Sequence, residues 1–358
     1  MSRTDTALDL IGSLSLAGAA AAILLPPRHP SRIAASLRVR RTPEHTRNVA
    51  RKFMPPTTLA QHWPGAHEIA RLISYYAPTR VRRGKEINHS AKRRLNAGVA
   101  MLAFSVLADS ALEHYRGSFQ NRAMYTPLAM ATLTLGASLV GFVNARAERH
   151  VVRDVIYLAA AATGLMGLGF HVYNILKRPG RLSWSNLFYA APIGAPAALT
   201  LAGLLGSAAE RVADTSARQH ATPFGLPAGR MLAAVTAGGL AGTVGESGLL
   251  HFRGAYHDPA MMLPATVPPV AAVLLGATAI RPNRFTSQIA RWWLRLTALL
   301  GFAGVGFHAY GVSRNMGGWR NWSQNVLNGP PLPAPPSFTG LALAGLAALS
   351  LIEENTDA

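Results

Sequence analysis

Hydrophobic and polar residues are laid out along this chain in long blocks, not in short alternation. From residue 95 onward, eight apolar stretches fall at roughly 95–114, 126–144, 152–174, 187–208, 231–250, 261–280, 290–311 and 337–353. Each approaches the about 20 residues that a helix needs to cross a bilayer. They are rich in Ala, Gly and Leu, as packed membrane helices are. None alternates with period two, which argues against an outer-membrane barrel. A ninth stretch, Ala7 to Leu25, precedes Pro26-Pro27 and reads as an N-terminal membrane helix. A signal peptide is its rival, with Ala17-Gly18-Ala19 as a passable cleavage site. Against that, Arg3 is the only basic residue ahead of it, and the apolar run continues past the cut. The pattern predicts an all-α, polytopic membrane protein.

Between these blocks, residues 26–94 are polar and broken by Pro55-Pro56, Pro64 and Pro78, so long helices are not expected there. One short piece, Ala66 to Tyr76, puts Ile69, Leu72, Ile73 and Tyr76 on one side and reads as an amphipathic helix lying on the membrane.

Composition supports the membrane reading. Apolar residues make up 49% and charged residues 14%, yet Lys and Arg outnumber Asp and Glu by 35 to 16. Sixteen of those 35 cations sit in residues 26–94. The positive-inside rule puts that block in the cytoplasm of a bacterial inner membrane. The loops at 115–125, 175–186, 251–260 and 312–336 then lie outside. Those short loops divide their cations evenly between the two sides, so the orientation rests on the basic block. The block lacks a nucleic-acid motif, and cytoplasmic retention with lipid contact explains it better than nucleic-acid binding. The chain has no cysteine, which excludes disulfides, Cys-ligated zinc, iron–sulfur clusters and covalent CxxCH haem. Phosphate-loop, zinc-peptidase and serine-hydrolase motifs are missing as well.

An internal repeat organises the rest. Asp109-Ser-Ala-Leu-Glu-His114-Tyr-Arg-Gly-Ser-Phe matches Glu246-Ser-Gly-Leu-Leu-His251-Phe-Arg-Gly-Ala-Tyr, 137 residues later. Gly164-Leu-Met-Gly-Leu-Gly-Phe-His171-Val-Tyr matches Gly301-Phe-Ala-Gly-Val-Gly-Phe-His308-Ala-Tyr at the same offset. Trp184-Ser185 and Trp322-Ser323 follow, then Ala195-Pro196 and Ala334-Pro335. The expected organisation is an N-terminal helix (1–25), a basic segment (26–94), a four-helix repeat (95–209), a linker (210–230) and a second four-helix repeat with a short tail (231–358). Both halves enter the membrane in the same direction, so their pseudo-twofold axis runs along the membrane normal.

Four histidines belong to the repeat: His114, His171, His251 and His308. Each ends an odd-numbered span of its half, so His114/His171 and His251/His308 form two pairs near the outer rim. Imidazole is the usual ligand for haem iron and a common one for other transition metals. Gly164 and Gly167 lie on the His171 face of their helix, and Gly301 and Gly304 on the His308 face. They predict a bare strip against which a porphyrin lies. The competing reading is that small residues at this spacing close helix–helix contacts and that the histidines bond nearby loops.

Asp109 and Glu246 sit about 7.5 Å below their histidines, inside the hydrocarbon, as a proton relay or in buried ion pairs with Arg116 and Arg253. Those arginines otherwise suit a cofactor propionate or a lipid phosphate. Glu113 and His257 have no counterparts and are set aside. The reading is an electron-transfer subunit, holding haem b or reacting with quinone and anchoring a dehydrogenase. The alternatives are a transporter with a path between the repeats, and a scaffold without chemistry.

Overall fold

The computed structural model describes residues 66–144, 150–189, 192–213 and 226–356. The expected helix at 7–25 and most of the basic segment lie outside these residues. The chain divides into Met1–Glu86 and Ile87–Ala358. Of the first unit, only the helical stretch from Ala66 is described.

All regular structure among the described residues is helical. In chain order the helices are α1 (Ala66–Arg116), α2 (Thr126–Val143), α3 (Val151–Leu176), α4 (Trp184–Tyr189) and α5 (Gly194–Ala213). They continue with α6 (Ala228–Arg253), α7 (Leu263–Ile280), α8 (Arg284–Arg314), α9 (Trp322–Asn328) and α10 (Pro336–Thr356). Among the described residues, six helical segments are long and apolar enough to cross a membrane: 86–116, 122–143, 151–176, 259–280, 284–314 and 336–353. The chain is therefore read as a multi-pass membrane protein. α5 and α6 are long enough but diluted by Gly, Ala and charge. α6 contacts both α5 and α10, where protein stands in for lipid: Gly239 of α6 faces Leu201 of α5 and Leu341 of α10.

Two expectations change. The short helix at Ala66 to Tyr76 is the start of α1, which continues through Pro78 and across residue 94. One lost backbone hydrogen bond costs about 3 kcal/mol, and cooperative propagation over a long helix offsets it. Likewise Pro268 and Pro269 sit inside α7 without ending it. Lastly, the stretch read as one span from 187 is split, with α4 ending at Tyr189 and α5 starting at Gly194. Pro192 and Pro196 lie at that restart, where missing N–H groups are tolerated.

Small residues set the packing. Gly98 of α1 meets the backbone of Gly340 in α10. Gly203 of α5 meets the backbone of Tyr157 and Ala161 in α3, and Gly206 meets the Tyr157 ring. α10 is buried on every side, with Leu341, Leu343 and Leu349 at 0% exposure. By contrast, Leu165, Met166, Phe170, Val273 and Phe307 point outward. Apolar side chains on both the inside and the outside suit a bundle whose solvent is lipid. In the second half, α6, α7, α8 and α10 form a ring in which each helix packs on the next.

Candidate histidine site

The histidine ends are built by turns of one design. After α1, Ser118 and Phe119 adopt left-handed backbone angles (φ 56° and 44°); after α6, Ala255 and Tyr256 do the same (55° and 46°). Such angles are unfavourable for bulky residues. Here the Phe119 N–H donates to the His114 carbonyl at 3.0 Å, and the Tyr256 N–H to the His251 carbonyl at 3.1 Å. These bonds fold each turn back over its histidine. The Phe119 ring stands edge-on to His114 at 6.1 Å, and Tyr256 edge-on to His251 at 6.2 Å. Asn121 and Asp258 then cap matching short 3-10 turns by accepting from the N–H two residues ahead.

All four imidazoles make the same bond. The Nδ1–H of His114 donates to the Met124 carbonyl at 2.6 Å, and that of His251 to the Met261 carbonyl at 2.9 Å. His171 donates to the Pro192 carbonyl, and His308 to the Pro331 carbonyl at 2.7 Å. A carbonyl oxygen only accepts, so the proton sits on Nδ1, and the neutral ring keeps its lone pair on Nε2. The His251 and His308 rings are 6.3 Å apart, centre to centre, at 75°. His114 and His171 lie within electrostatic reach of each other. All four are half-buried.

The glycine strips do not lie open. A Cβ on Gly164 would strike Thr200 and the Pro196 carbonyl of α5; on Gly301 it would strike Thr339 and the Pro335 carbonyl, where α10 begins. A Cβ on Gly167 would stand 3.4 Å from the Pro196 ring, and one on Gly304 2.7 Å from the Pro335 ring. The expected slot for a flat group along Gly164, Gly167, Gly301 and Gly304 is therefore filled. These glycines let the next helix approach closely.

Arg116 and Arg253 do not pair with the matched acids. Arg116 bonds Glu113 at 2.6 Å, the residue set aside for lack of a counterpart. Arg253 donates to the Phe188 carbonyl at 2.9 Å and lies over the Tyr189 ring at 4.8 Å. Glu246 accepts the Gly194 N–H at 3.1 Å and so caps the start of α5, where helix N–H groups favour a carboxylate.

At the opposite end lies a cluster that sequence reasoning missed. Glu210 of α5, with a fully buried side chain, accepts from Arg153 Nε at 2.8 Å and Nη2 at 3.0 Å, and from the His150 N–H at 2.9 Å. Lys92 Nζ stands 3.5 Å from the same carboxylate. Beside it, Tyr157 donates its hydroxyl to Asn96 at 3.0 Å. Asp154 accepts from Ser207 at 2.5 Å and Arg211 at 2.9 Å. Asp154 inside the apolar stretch 152–174 was the available signal; Glu210 fell in the expected linker and gave none. Among the described residues, no three metal-binding side chains gather at one point.

No protein-family model, curated protein or solved structure matches this chain.

Proposed function

We propose that the protein is a tandem duplication of a four-helix membrane unit in a bacterial inner membrane. Matched contacts support this: both turns, both sets of histidine bonds, and both glycine faces filled by a Pro and a Thr of the following helix. Arg93 and Arg230 are a further pair at the 137-residue offset. Arg93 lies over the Phe142 ring at 4.8 Å, and Arg230 donates to the Ala279 and Ile280 carbonyls at 2.6 and 2.7 Å.

The function proposed is electron transfer: a membrane subunit that anchors a dehydrogenase and carries its redox group, haem b or quinone, at the paired imidazoles. The observation that carries this reading is the shared state of the four rings. Fixing Nδ1–H on a carbonyl is how metal-binding histidines are oriented. The same ring, once protonated, donates Nε2–H to a quinone carbonyl, and when neutral it accepts from a quinol hydroxyl. Two imidazoles suffice as axial ligands for iron, but the filled glycine faces leave no bed for the macrocycle, so the quinone form is the better supported. A potentiometric titration of the purified protein tests the reading. Redox transitions or extractable quinone, lost in His308→Ala, are expected. A redox-silent, quinone-free protein overturns it.

A second reading is transport along the junction of the halves, with Asp109 of α1 and Glu246 of α6 as the matched acids. Substrate-driven proton uptake by proteoliposomes that survives Asp109→Asn would eliminate that use of the pair.

A further inference from the structure

We propose that His251 and His308 together bind a single copper ion. The choice of copper over zinc rests on the electron-transfer reading; the existence of a metal site does not. Two imidazoles that share one ion through Nε2, with metal–nitrogen bonds of about 2.0–2.1 Å, put their ring centres about 5–6.4 Å apart. The observed 6.3 Å lies inside that range. Imidazole is a good ligand for copper.

Both rings are held for the task from outside. Their Nδ1–H groups are fixed on the Met261 and Pro331 carbonyls, at 2.9 and 2.7 Å, which leaves Nε2 as the free donor atom of each neutral ring. Tyr256 buttresses His251, and its hydroxyl is anchored on the Gly248 carbonyl at 3.0 Å. Pro335 and Thr339 cover the Gly301 and Gly304 face below His308, so a macrocycle has no bed there. Two protein ligands leave coordination positions open to water or to a reacting ligand.

The test uses the full-length protein in detergent, stripped of metal, equilibrated with Cu(I) or Cu(II) alone and then dialysed. His251→Asn and His308→Asn are the informative variants. An Asn amide offers its N–H where Nδ1–H stood but has nothing in place of Nε2. A histidine that merely holds its loop is thus satisfied by Asn, and a ligand is not. Each variant is expected to melt like the parent and to lose one equivalent of bound copper per chain, together with the nitrogen hyperfine splitting in the Cu(II) spectrum. If parent and variants bind equal copper, or the parent binds none, the proposal falls. A haem Soret band in the isolated protein that His308→Asn abolishes also defeats the copper site, while leaving the electron-transfer reading intact. Copper bound at these residues without any exchange of electrons with a quinol upholds the site and removes that reading.

Discussion

Replacing Glu210 with Gln isolates the contribution of the buried charge cluster to the bundle. The Glu210 side chain is fully buried, and those of Lys92 and Arg153 are 1% and 7% exposed. One carboxylate binds helix α5 to α1, to α3 and to the start of α3 at His150. Gln keeps the shape but removes the charge and turns an NH2 group toward donors. Breaking a buried ion pair from one side costs about 3–5 kcal/mol, because the remaining charge has lost its compensation. That corresponds to a drop of two to four orders of magnitude in the folding equilibrium. Unfolding by sodium dodecyl sulfate, followed by circular dichroism, is the assay.

The second half suggests the control. The positions 137 residues after Lys92 and Arg153 are Gly229 and Ala290, and Leu349 stands where alignment places Glu210. Ala290 and Leu349 are fully buried without charge. The triple variant Lys92→Met, Arg153→Met, Glu210→Leu is expected to recover most of the loss. A Glu210→Gln protein within about 1 kcal/mol of the parent, or a triple variant weaker than the single one, would refute the reasoning.

Further predictions concern packing and caps. Gly203→Ala drives a methyl into the Tyr157–Ala161 backbone and should lower stability by about 1–3 kcal/mol. Gly136→Ala, which meets nothing within 4 Å, should stay within about 0.5 kcal/mol in the same assay. Tyr256→Phe removes the hydroxyl bond to Gly248 and should cost about 0.5–1.5 kcal/mol, visible in thermal melting in detergent. Arg230→Ala frees the last carbonyls of α7 and should raise amide exchange around residues 277–281, with a loss of about 1.5–3 kcal/mol.

Much of the architecture was legible in the residues themselves. Block hydropathy placed a helix at every apolar stretch from residue 95 onward, because span length follows from bilayer thickness and needs no partner. The 137-residue offset picked out His114, His171, His251 and His308 as one set, and in the structure all four rings bond a loop carbonyl through Nδ1. Distances between elements decided the rest. The 3.6-residue period puts Gly301 and Gly304 on the His308 face, but it cannot tell whether a cofactor or a helix lies against that face; Pro335 and Thr339 do. Nor does it reveal that Glu246 caps α5 from 52 residues away, or that Glu210 holds Lys92 across 118. Periodicity and composition act along one helix, whereas the partner of a buried polar group is chosen by how helices cross in space.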